Sequence, residues 1–189
     1  MAIRGGSNGA SLREGQRLLN ADYDLKIDRR TEELASEFLE SYDWAMEDVE
    51  DEWDQIVEEA RNFAVDEIMH VAAIAREEDV DASVLDEERI AAQSEDGILK
   101  MSYVWDGEWR DLRAGTCQER ALTLHALYNE LGIDSQYHEG ILKLENGRYG
   151  CHGWTTVGDQ YISDPSNAGD GVTPIEDTDR YSEKEIWIR

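Results

Sequence analysis

The chain has 189 residues, enough for one domain that buries its own core without disulfide support. Forty-four acidic residues against 18 basic ones give a formal charge of −26, which repels phosphate backbones and anionic membranes and argues against nucleic-acid and membrane partners. Two cysteines, Cys117 and Cys151, are too few for a disulfide scaffold, so a reducing cytoplasm is the expected compartment.

The acids are spread along the chain and interleave with apolar residues at core spacing, which argues against disorder. Lysine stands only at positions 26, 100, 143 and 184, and arginine supplies the other basic residues. Dispersed acid with scarce lysine reads as the chain of a salt-accumulating halophile, in which concentrated cations screen the self-repulsion. The apolar-rich stretch at 65–75 is interrupted by Asp66, Glu67 and His70, so no membrane span is expected. The opening MAIRGGSNGAS lacks the apolar run of a secretory signal.

Residues 1–30 read as an N-terminal arm, with Gly and Ser and little periodicity. Residues 31–97 read as a helical region. From 31 to 78 there is no Gly or Pro, and Leu34, Phe38, Tyr42, Trp53, Ile56, Ala60, Phe63, Ala64, Ile68 and Val71 recur at helical spacing. Thr31 is a candidate N-cap, although Leu34 stands where a capping box needs Glu or Gln. The acidic run 47–52 is compatible with two helices or with the outer face of one. A short helix is expected near 83–93, and Asp96-Gly97 closes this half.

Residues 98–189 change character. A strand is expected over 98–104, and Asp106-Gly107 marks a turn between Trp105 and Trp109. The next element is a helix over 117–131, ended by Gly132. Strands follow at 135–144, 148–157 and 160–163, the first two joined by the Asn146-Gly147 hairpin signal. Residues 165–180 read as loop, and 186–188 as a last edge strand. The fold class is therefore α+β, a helical N-terminal half packed on a core of one helix and a small antiparallel sheet.

Thr116-Cys117-Gln118-Glu119 matches a capping box, with Thr116 as N-cap and Glu119 reaching back to its amide. Cys117 then opens a helix, where unpaired N–H groups and the dipole favour a thiolate and can stabilise an oxyanion. Gly115 just before it allows close approach of a substrate backbone. A lone cysteine is as readily an inert buried residue. What turns the reading toward chemistry is His152 and Asp164, each on or at the end of an expected strand. A metal site from Cys117, Cys151, His152 and Asp164 lacks ligand spacing, and adjacent Cys151 and His152 point to opposite faces of a strand. A Cys117–Cys151 disulfide requires Cys151, not His152, to face the helix. His70 and His125 are placed within helices and His138 on a strand, with nothing selecting them. Trp44, Trp53 and Phe63 read as core, and the acidic runs as solvated faces rather than Ca²⁺ loops.

The segment from Ala114 to Ala121, then His152-Gly153-Trp154, then Ile162-Ser163-Asp164-Pro165 resemble the Cys, His-x-Trp and Asp-Pro blocks of the transglutaminase-like superfamily. Cys117, Glu119 and Ala121 are most similar to the Cys block of its peptide N-glycanase branch. The resemblance covers about residues 103–166. It implies a papain-like core with Cys117 as nucleophile, His152 as base and Asp164 orienting the histidine. It also implies thioester-forming attack on a peptide or protein amide, followed by transfer to water or an amine, with no cofactor and no metal. Gly115, Thr116, Trp105, Trp109 and Trp154 are the substrate or oxyanion candidates. A different class of function is a non-catalytic binding or structural protein that keeps this fold in a larger assembly, docking a partner through the N-terminal helical region.

One geometric condition follows. Asp164 can orient His152 only if both project from one face of the sheet. A two-residue turn at Gly158-Asp159 splits them. An odd-length loop, such as Val157-Gly158-Asp159 pairing Thr156 with Gln160, or a bulge of equal effect, brings them together.

Overall fold

The computed structural model describes residues 4–7, 17–19, 24–26, 29–41, 53–77, 79, 81, 83, 99–105, 108–144, 146–167, 171–183 and 186–188, with side chains described within 34–41, 53–83, 115–144, 146–167 and 171–182. The first elements in chain order are β1 (Arg4–Ser7), β2 (Arg17–Leu19), β3 (Asp24–Lys26), α1 (Arg29–Ser41), α2 (Trp53–Glu67), β4 (Met69–His70) and α3 (Val71–Glu77). Then come β5 (Leu99–Trp105), β6 (Glu108–Gly115), α4 (Cys117–Glu130), β7 (Ser135–Lys143) and β8 (Tyr149–Val157). The chain closes with β9 (Tyr161–Ser163), β10 (Val172–Pro174), a 3-10 turn (Ile175–Asp177), β11 (Tyr181–Glu183) and β12 (Ile186–Ile188).

The architecture is α+β. Helix α4 is buried on every side from Ala121 to Tyr128, as a helix enclosed by other elements must be. Its Leu124, Leu127 and Tyr128 join Ala35 and Phe38 of α1 and Ile56, Val57, Ala60 and Ala64 of α2 in one core, with Val157 of β8 entering from the sheet side. Phe38 meets Phe63 edge-on at 5.1 Å between ring centroids. Burial of such side chains stabilises the fold by roughly 1.5–3 kcal/mol each. Helix α4 and strand β8 are further tied by Thr155 Oγ1, which donates to the Ala121 carbonyl at 2.8 Å.

Three sheets are present among the described residues. The central one has the order β10-β9-β8-β7-β11, a second has β4-β6-β5, and a third has β1-β12-β2-β3. In the central sheet β7 and β8 form a long hairpin, with Gly140 opposite His152 and Ile141 opposite Cys151. Leu144 N–H donates to the Arg148 carbonyl at 2.8 Å, so three residues close this hairpin, and Gly147 takes the positive φ of 77° that the closure needs.

Several expectations are corrected. Helix α1 begins at Arg29, so Thr31 lies inside it rather than capping it. The apolar periodicity that ran on through Ile68 and Val71 breaks at Glu67. Met69 and His70 leave the helix to pair in parallel with Ala114 and Gly115, and α3 starts after them. His70 is therefore a strand residue, its Nδ1 accepting from the Ala72 amide at 3.1 Å. Tertiary pairing overrides local spacing there.

Strand β6 was not expected; it pairs with β5 from Leu99–Ala114 to Trp105–Glu108. The loop expected over 165–180 contains β10 and the 3-10 turn. Among the described residues, the first thirty hold three short strands, and β12 lies inside their sheet, not at the edge of the central one. Short strands such as Arg-Gly-Gly-Ser have no alternation to betray them. The acidic run 47–52, the turn Asp106-Gly107 and the helix expected near 83–93, beyond Ser83 itself, lie outside the described residues. No described helix is long and apolar enough to cross a membrane.

Candidate active site

The start of α4 is built by its cap. Thr116 has extended backbone, the Gln118 amide donates to its Oγ1 at 3.3 Å, and Glu119 Oε2 accepts from both the Thr116 amide and hydroxyl at 2.7 Å. This fixes Cys117 as the first helical residue, where backbone N–H groups lack intrahelical partners. Gly115 sits beneath the cap. A Cβ there would lie 2.9 Å from the Glu119 Cβ and from Ile68, so the space beside Gly115 is filled from within the protein.

Gly153 brings the helix start against β8. A Cβ at this position would come within 3.1 Å of the Gln118 Cα and of the Tyr137 hydroxyl, so a larger residue would have to push a neighbour aside by a few tenths of an ångström. His152 is the preceding residue. Its imidazole feels the Cys117 side chain closely enough for the thiol to help raise its pKa, and its Nε2 lies 2.6 Å from Asp164 Oδ2. Since Nε2 is engaged by the carboxylate, Nδ1 is the ring nitrogen left for Cys117.

Asp164 reaches this position through the β8–β9 turn. Gly158 and Asp159 have φ of 58° and 52°, and the Gln160 amide donates to the Val157 carbonyl at 3.2 Å, as in a two-residue hairpin turn. The ladder nevertheless resumes with Val157 opposite Tyr161, which leaves Gln160 as an extra, bulged residue. The register continues through Thr156–Ile162 and Thr155–Ser163, so Asp164 falls on the face of Trp154 and His152. The odd parity is the one the site needs, although the register lies two residues from the Thr156–Gln160 alternative, with Thr156 opposite Ile162.

The Asp164 carboxylate is 1 % exposed and fully engaged. Oδ2 accepts from His152 and from the Tyr181 hydroxyl at 2.9 Å, and Oδ1 accepts from the Ser166 amide at 2.9 Å. Its backbone carbonyl accepts from Nε of the buried Arg61 at 3.2 Å. Burial works against a charged His152, but the hydrogen bond and charge of Asp164, with a contribution from Cys117, outweigh it and raise the imidazole to about 10.

Trp154 is 1 % exposed and stacks between His138 and His152, with centroids 5.7 and 6.3 Å away and rings nearly parallel, while Tyr181 leans on it at 5.1 Å. It supports the imidazole from within rather than facing solvent. Strands β5 and β6 carry Trp105 and Trp109, whose side chains lie outside the described ones. Cys151 is exposed and Cys117 half-buried, and both are free thiols. His125 is buried between Ser135 and Asn129, and His138 is held by Thr156 Oγ1 at 2.8 Å.

Four site residues escaped the sequence reading. Arg120 donates to the carbonyls of Ile68 at 2.7 Å, Val65 at 3.2 Å and Pro165 at 3.4 Å, pinning the end of α2 and the chain after Asp164 to α4. Burial pushes its pKa down, opposed by its electrostatic interactions with Cys117, Asp164 and Asp66. Arg61 was legible as a charged residue on the apolar face of α2, between Val57, Ala60 and Ala64. Glu139, 4 % exposed, accepts from Gln118 Nε2 and Tyr137 Oη, each at 3.0 Å. Tyr181 stands in an unexpected strand and carried no sequence signal.

No family model matches the chain, and no curated protein matches it. A solved structure from Cytophaga hutchinsonii, whose description as a cysteine protease is itself provisional, superposes with a TM-score of 0.37 at 14% identity over 85% of this chain and 50% of that one. The chain spans half the length of that structure.

Proposed function

We propose that the chain is a cysteine hydrolase or acyltransferase with a transglutaminase-like, papain-like core, acting on peptide or protein amides through a thioester. The observation that carries this reading is the 2.6 Å bond from His152 Nε2 to the buried Asp164 carboxylate, with Cys117 at a helix start near enough to help raise the imidazole's pKa. The motif blocks at Cys117, His152-Gly153-Trp154 and Asp164-Pro165 support the same core. The dispersed charge of −26 supports a halophilic source, with acids such as Glu37, Glu40, Asp54 and Asp66 on exposed helical positions.

In this reading His152 takes the Cys117 proton, and the sulfur attacks the amide carbon to form a C–S bond. Backbone N–H groups at the start of α4 hold the oxyanion. Collapse breaks the C–N bond as the imidazolium protonates the departing amine, leaving an acyl thioester on Cys117. Water or an amine then adds, His152 accepts its proton, and the C–S bond breaks to free the thiolate. Asp164 stabilises the imidazolium that forms in each half. Arg120 lies near both Cys117 and Asp164 and keeps the two halves of the site in register.

The test is intact mass spectrometry of the chain quenched during incubation with a panel of peptide amides, with and without a primary amine. An acyl adduct mapped to Cys117 and released by hydroxylamine is expected. A product carrying the amine marks an acyltransferase, and free acid alone marks a hydrolase. Turnover that persists in Cys117→Ala without an adduct contradicts the proposal.

A further inference from the structure

We propose that Tyr181 is a positioning residue of this site, setting through Asp164 how tightly His152 holds its proton. The inference rests on the Cys117–His152–Asp164 reading and adds to it a fourth side chain from a separate strand. The Tyr181 hydroxyl donates to Asp164 Oδ2 at 2.9 Å, the same oxygen that accepts from His152 at 2.6 Å. One carboxylate oxygen thus serves two donors, and each draws on the charge available to the other. The Tyr181 ring also lies 5.1 Å from Trp154 and 6.3 Å from His152, so it covers the pair as well as bonding to it.

The fold is arranged to deliver this hydroxyl. Strand β11 pairs along β7 with Tyr181 opposite Leu142 and Glu183 opposite Gly140. A side chain at Gly140 would collide with the Ser182 carbonyl, so glycine at that position lets β11 seat fully. Next to Tyr181, Arg180 bonds to Lys143 twice, its carbonyl accepting from the Lys143 amide at 2.9 Å and its Nε donating to the Lys143 carbonyl at 3.1 Å. An edge strand zipped at both ends holds the phenol at a fixed distance from a carboxylate that is itself anchored by Ser166 and Arg61.

The direction of the effect follows. A donor on Oδ2 lowers the basicity of the carboxylate and loosens its hold on the imidazolium. Without it His152 becomes more basic and a poorer acid toward the departing amine. The other charged and titratable groups around His152 are Cys117 and Arg120 from α4, Asp164 after β9, Arg61 from α2 behind Asp164, and His138 of β7 beyond Trp154.

The experiment is an NMR titration of the His152 ring, readable in a chain with four histidines and assigned by its loss in His152→Ala. It is made in a Cys117→Ser background so that the coupled thiol does not titrate with it. Tyr181→Phe should move the midpoint up by about one pH unit, the scale of a hydrogen bond to a charged group. The more acidic 3-fluorotyrosine at position 181 should move it down. Opposite shifts are a signature that a purely structural role for the ring does not produce. In the Cys117-containing enzyme, Tyr181→Phe should lower kcat on the order of tenfold with KM held within about twofold. Equal midpoints, or shifts of the same sign, overturn the inference, and if Tyr181→Phe loses its fold the fluorinated chain carries the test alone. A midpoint that does not change between Cys117 and Cys117→Ser chains contradicts the Cys–His pairing instead, and leaves the Tyr181 comparison intact.

Discussion

Asp164 meets His152 at 2.6 Å because a bulge at Gln160 shifts β9 by one residue against β8. Were Gln160 itself paired with Val157, Asp164 would share a face with Gly153, and Ile162 and Ser163 would exchange sides as well. Deleting Gln160 should therefore leave Tyr161 opposite Val157 across a regular two-residue turn, with Asp164 still on the His152 face and turnover retained. Gln160→Ala should change stability by no more than about 0.5 kcal/mol, because the residue is exposed. Thermal melts and turnover of both variants check this, and a folded but inactive deletion variant contradicts the register account.

The carboxylate has its own prediction. Asp164→Asn keeps the shape but removes the charge that raises His152, and should lower kcat by about 10²–10⁴-fold. The pH profile should also move, with the histidine limb falling from about 10 toward the ordinary imidazole range near 6.5. A profile that stays in place with the rate intact assigns Asp164 to scaffolding alone.

The raised imidazole also sets a pH dependence of stability. His152 goes from an ordinary 6.5 to about 10 on folding, so the folded state binds the proton more tightly. Its stabilising contribution is complete below about pH 6.5 and is lost as pH rises through about 10. The difference in denaturant midpoint between the wild-type chain and His152→Ala should accordingly shrink from pH 6 to pH 10. A difference that grows over this range has the wrong sign for the account.

Charge gives the fourth prediction. At −26, the thermal midpoint should climb as salt rises from millimolar to molar, because at about 1 M the screening length falls to about 3 Å and only neighbouring charges still repel. A flat or falling midpoint removes the halophile reading.

What the sequence made legible was local. The cap Thr116–Glu119, the helix after Cys117, and the β7–β8 hairpin each carry their signal within a few residues. The Gly158 turn was legible as a condition on parity, while the Gln160 bulge was not, since nothing in Gly-Asp-Gln-Tyr distinguishes a bulge from a longer loop. Arg120 and Tyr181 could not be read because their partners lie far along the chain: the Arg120 head bonds 45 to 55 residues away, and Tyr181 depends on a strand of three residues. Met69-His70 shows the same limit in reverse. Its helical spacing was sound, and a parallel pairing with the end of β6 prevailed.

The most direct measurement uses the chain's two cysteines against each other. Cys151 is exposed and Cys117 half-buried, so ordinary accessibility favours Cys151 in reaction with iodoacetamide at neutral pH. If His152 and the start of α4 activate Cys117, peptide mapping should find Cys117 labelled first in the wild-type chain, and the order should reverse in His152→Ala. Labelling of Cys151 ahead of Cys117 in the wild-type chain, unchanged when His152 is replaced, would contradict the proposed catalytic core.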